Sequence, residues 1–118
     1  MFADYRVPVV LRERGILVYA PALAAAVDGK QTLAPGSDEE VEIRAGTIVA
    51  VERLREAVQR RLAREAAAAG HQGGTDGAAL QHQQPTVPSI AVDWWLWEEG
   101  ERARASHRPH HRVPSTFY

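Results

Sequence analysis

Cysteine is absent from the 118 residues, which removes disulfides, cysteine-based zinc sites and thiol catalysis together. Lysine is nearly absent: Lys30 stands alone beside 13 arginines, and these 14 cations meet 15 acidic residues for a net charge of −1. That balance argues against a general nucleic-acid binder, which would gather a basic surplus on one face. With 20 alanines in the same chain, the arginine skew reads as coding bias rather than phosphate chemistry. Long apolar runs are missing too; the longest are a few residues, against the ~20 needed to cross a bilayer. Residues 1–6 carry no basic region leading into an apolar stretch, so no secretory signal is read. A soluble cytoplasmic protein without a membrane partner is expected, with room for one small domain.

What is present is helical punctuation, and the fold class read from it is all-α. Asp4 precedes a short helical pattern in which Pro8 is tolerated in the first turn and Val7, Val10 and Leu11 form the apolar side. Gly15 falls where a left-handed C-terminal cap belongs. A second short helix starts near Pro21, turns Leu23, Ala24 and Val27 inward, and ends at Asp28-Gly29. Pro35-Gly36 makes a turn, and Ser37 with Glu40 has the S-x-x-E spacing of a capping box. A long helix over 38–68 follows, ending at Gly70, with Val41, Ala45, Ile48, Val51, Leu54, Val58 and Leu62 as its apolar stripe. Glu40/Arg44 and Glu56/Arg60 are spaced as i, i+4 pairs. Residues 70–88 are rich in glycine and glutamine and read as a disordered surface loop. Ser89 is the expected N-cap of a last helix running to about Ala105. Its Val92, Trp94, Trp95, Leu96 and Trp97 predict burial on more than one side, with Trp94 or Trp97 mostly enclosed. Pro109 and Pro114 make the tail an extended surface segment.

Four features carry candidate chemistry. Asp4-Tyr5-Arg6 sets a carboxylate, a phenol and a guanidinium at a helix start, where the helix dipole favours the ionised acid. Such a carboxylate can stabilise or attack an oxocarbenium-like centre, although spacing alone favours a simple helix cap. Glu42 in Glu40-Val41-Glu42-Ile43-Arg44 is expected to pair with Arg6 or Arg44. Asp93, ahead of three tryptophans, can contact a ligand while the indoles stack on an aromatic group; one locally satisfied polar residue in a core helix is the plainer reading. His107, His110 and His111 lack a nearby carboxylate and match no familiar zinc spacing, so no metal is assigned. His111 and Arg112 fit a phosphate contact better.

Phe2-Ala3-Asp4-Tyr5-Arg6-Val7-Pro8, Glu40-Val41-Glu42-Ile43-Arg44, Asp93-Trp94-Trp95-Leu96-Trp97 and His111-Arg112 followed by Phe117-Tyr118 occur in order. Together they resemble the C-terminal third of the queuosine salvage family, the queuosine 5'-phosphate N-glycosylases. The resemblance implies hydrolysis of the N-glycosidic bond of queuosine 5'-monophosphate, releasing queuine for tRNA modification. It implies a helical fold related to helix-hairpin-helix DNA glycosylases, a small nucleotide as substrate, no cofactor and no direct nucleic-acid contact. Asp4 takes the place of the family's catalytic carboxylate, and Tyr5, Arg6, Asp93, His111 and Arg112 become candidate substrate contacts. Val9 and Pro114 depart from the family's usual Gln and Arg. Family members are about three times as long, so the alternative is a non-catalytic helical piece that associates with another chain.

Overall fold

In a computed structural model that describes residues 4–70 and 86–114, the chain forms four helices. They are α1 (Arg6–Glu13), α2 (Pro21–Asp28), α3 (Asp38–Gly70) and α4 (Ser89–Arg102). Among the described residues the only strand-like pairing is an isolated parallel bridge between Thr32 and Arg112. The all-α expectation holds; the loop expected at 70–88 lies mostly outside the described residues. No described helix is long and apolar enough to cross a membrane.

Each helix starts and stops for local reasons. Asp4 Oδ1 accepts hydrogen bonds from the backbone N–H groups of Arg6 (2.9 Å) and Val7 (3.0 Å), satisfying donors that α1 cannot use internally. α1 ends with Gly15 at φ +68°, and Gly15 and Ile16 donate back to the carbonyls of Arg12 and Leu11. Pro21 opens α2, where its fixed φ suits the first turn. The left-handed residue that closes α2 is Lys30 (φ 59°) rather than Gly29. At α3 the Ser37 hydroxyl accepts from the Glu40 N–H at 3.4 Å, while the Glu40 carboxylate turns back to the Gly36 N–H.

The core lies where α1 is covered by α3 and α4, and Val7, Val10, Leu11, Ala50, Val51, Val92 and Leu96 fill it. The inward face of α3 departs from the expected stripe. Ile43, Thr47, Ala50 and Val51 are buried with Glu40, whereas Val41, Ile48 and Val58 are exposed. The pattern misleads because Thr47 looks polar but donates its hydroxyl to the Ile43 carbonyl at 2.7 Å, which satisfies it in place.

α4 also differs from expectation. Ser89 is its first helical residue, with Pro88 as N-cap, and the Ser89 hydroxyl instead donates to Glu52 on α3. The helix ends at Arg102, and Trp94, Trp95 and Trp97 are exposed, Trp94 to 69%. The buried face is Val92, Asp93, Leu96 and Gly100. Gly100 explains the choice of face: a Cβ there would lie 2.6 Å from Arg6 Cγ and Cδ and 2.9 Å from Val10 Cγ2. Only glycine lets α4 sit this close to α1.

Candidate active site

The close approach of α4 brings Asp93 beside Asp4, 89 positions earlier in the chain. With Trp94 and Trp97 they line one cleft of about 280 Å³. Asp93 is buried and Asp4 half-buried. Burial is the main cause that pushes the Asp4 carboxyl above its ordinary pKa; the N–H groups of Val7 and Arg6 oppose it, and the neighbouring Asp93 charge adds to it. The helix start was expected to favour ionised Asp4, but desolvation and the second carboxylate outweigh the cap. The cap role and the cleft position are held by the same side chain.

Tyr5, the next residue, faces a second cleft of about 250 Å³ that it lines with His110, His111, Arg112 and Val113. Its ring lies 4.9 Å from that of His110 and 5.2 Å from the Arg6 guanidinium carbon. The tail reaches this position because Leu33 N–H donates to the Arg112 carbonyl at 2.8 Å, holding 111–112 beside 32–33. His111 is thereby buried rather than laid on the surface. Burial first, then the neighbouring His110, lowers its pKa to about 4, so it is neutral at pH 7. Burial and the charges of Arg112 and Arg6 lower His110 as well. The cation of this cleft is therefore Arg112, with the imidazoles as neutral hydrogen-bonding groups.

Arg6 lines neither cleft. Its Nε lies 2.6 Å from Glu101 Oε1, and its side chain crosses the Gly100 notch to reach it. Arg44 pairs with Glu40, so neither arginine is the partner expected for Glu42, which lines a separate cleft with Leu17 and Tyr19. Sequence reasoning missed Gly100 and Glu101, and it weighed His110 only as a metal ligand, not as the ring beside Tyr5. A glycine inside an otherwise continuous helix was the one available signal for the notch.

The whole chain, residues 1–118, matches the family model described as queuosine salvage protein. The chain belongs to the queuosine salvage protein family. Among curated members of the family, it is 44% identical over 117 residues to the queuosine 5'-phosphate N-glycosylase/hydrolase of Sphaerobacter thermophilus, covering 99% of this chain and 29% of that protein. It is 34% identical to the protein of the same name from Dictyostelium discoideum, covering 100% of this chain and 30% of the relative. The corresponding mouse (Mus musculus) protein is 28% identical, with 100% of this chain and 31% of the relative covered. The chain thus spans about three-tenths of the length of the queuosine salvage proteins it matches.

Proposed function

We propose that this chain carries the catalytic carboxylate and the phosphate-binding tail of a queuosine 5'-monophosphate N-glycosylase. The observation that carries the reading is the pairing of Asp4 and Asp93 in one cleft walled by two indoles. Breaking the C1'–N bond sends the bonding electrons to the base and leaves positive charge on the anomeric carbon. A carboxylate beside that carbon stabilises the charge, and water then supplies the hydroxyl to C1' and a proton to the departing base. Asp4, fixed by two backbone N–H groups, takes this role. Asp93 accepts a hydrogen bond from the base, and Trp94 and Trp97 stack on its flat face.

The second cleft suits the 5'-phosphate. Asp4 lines the first cleft and Tyr5, the next residue, lines the second, so in this reading the nucleotide extends from the indoles past Asp4 toward Arg112 and the His111 N–H. Arg6 supports the site indirectly, through its stacking on Tyr5 and its ion pair with Glu101. The kinship with helix-hairpin-helix glycosylases is part of the same proposal and rests on the motif resemblance. The test compares queuosine 5'-monophosphate with queuosine lacking the phosphate, using this chain together with the remaining part of a family-length relative. Arg112→Ala should weaken use of the phosphorylated substrate alone, through KM. Equal loss on both substrates, or none on either, would contradict the assignment of the second cleft.

A further inference from the structure

Two further clefts lie along α3 with neither carboxylate in their walls, and the second ends at Trp95, the chain neighbour of Trp94 in the carboxylate cleft. One of about 310 Å³ opens between Ile16 and Val49, and one of about 350 Å³ between Val58 and Trp95; Leu54 forms a wall of both. They join into one apolar strip running from the α1–α2 connection, across α3, to α4. Ile16, Val49 and Trp95 are each about half exposed along it. Single exposed apolar residues are ordinary, but a continuous strip of this kind marks an interaction surface. Arg53 adds a positive charge at its edge.

Two observations identify the occupant. The relatives are single chains whose length outside the match is more than twice the length inside it. The carboxylate cleft is also open on one side, where Trp94 is 69% exposed, so water is not excluded from it. A second copy of this chain would cover the strip but would bring only a duplicate of the same wall. We propose that the strip seats the portion of the salvage domain that this chain does not contain, as a polypeptide with an apolar face and an acidic rim opposite Arg53, and that this seating closes the carboxylate cleft. The inference deepens the proposed function and rests on it only for what the closed cleft does.

Co-expression of this chain with a tagged polypeptide comprising the residues of the Sphaerobacter thermophilus relative outside the match tests it. The two should purify together in equal amounts. Val49→Glu and Trp95→Glu should each weaken the association at least tenfold, with helicity by circular dichroism unchanged. Should Trp95→Glu lose helicity, Val49→Glu on the half-exposed side of α3 decides the matter. Failure to associate, association undiminished by Val49→Glu, or equally tight dimers of this chain alone would overturn the inference. Association without queuine release counts against the proposed function and supports this surface. Queuine release by this chain without association does the reverse.

Discussion

Replacing Gly100 by alanine perturbs the contact that aligns the two carboxylates. The new methyl would stand 2.6 Å from two carbons of Arg6 and 2.9 Å from Val10 Cγ2. Val10 is buried, and Arg6 is tethered at its far end to Glu101, so neither moves freely. Overpacking of this kind costs about 1–3 kcal/mol, while glycine-to-alanine inside a helix returns up to about 1 kcal/mol. The net expectation is destabilisation of about 1 kcal/mol, a Tm lower by roughly 4 °C for a domain of this size. Gly46→Ala is the internal comparison. Its methyl meets only Leu17 Cδ1, at 3.0 Å, the end of a half-buried side chain that can rotate away. Helix propensity then wins, and Gly46→Ala should be neutral or stabilising by up to about 1 kcal/mol. Thermal melts followed by circular dichroism read both. A Gly100→Ala protein as stable as wild type would refute the close packing of α4 on α1.

Two other outcomes are expected. Because burial holds the folded His111 pKa near 4, the unfolded chain takes a proton below about pH 6.5 that the folded chain refuses, so this residue's contribution is complete above pH 6.5 and is lost on acidification toward pH 4. The loss is on the order of 3 kcal/mol, and melts at pH 7, 5.5 and 4.5 should show a slope that His111→Gln flattens. Leu96→Ala should cost about 2–5 kcal/mol because the side chain is fully enclosed, whereas Trp94→Ala should change stability by less than about 1 kcal/mol; urea titration distinguishes them.

Local chemistry made the helix boundaries legible. Gly15, Pro21 and the Ser37–Glu40 spacing each act within one turn, and the helices begin and end beside them. Facing was less legible because it depends on partners far along the chain. Thr47 is buried after satisfying its hydroxyl within α3, and Ile48, one residue on, is exposed. The three tryptophans looked like core, but the Gly100 notch turns Val92 and Leu96 toward α1 instead. Asp4 and Asp93 could each be singled out from their neighbours. Their common cleft could not, since it is set by the packing of α4 across a separation of 89 positions. His111 was visible as a polar tail residue, but its burial follows from the pairing of 112 with 32–33, for which no periodic signal exists.

The most direct test of the account is the rate of queuine release from queuosine 5'-monophosphate by Asp4→Asn, measured by chromatography with the remaining part of the domain present. Asparagine keeps an oxygen for the N–H groups of Arg6 and Val7, so α1 should stay capped. Asp4 has a raised folded-state pKa, so its ionised form opposes folding at pH 7, and removing the charge should leave Tm unchanged or higher. Loss of that charge beside the anomeric carbon should remove several kcal/mol of transition-state stabilisation, a rate fall of roughly a thousandfold. Undiminished release by a folded Asp4→Asn protein would contradict the central claim and move the reacting carboxylate elsewhere.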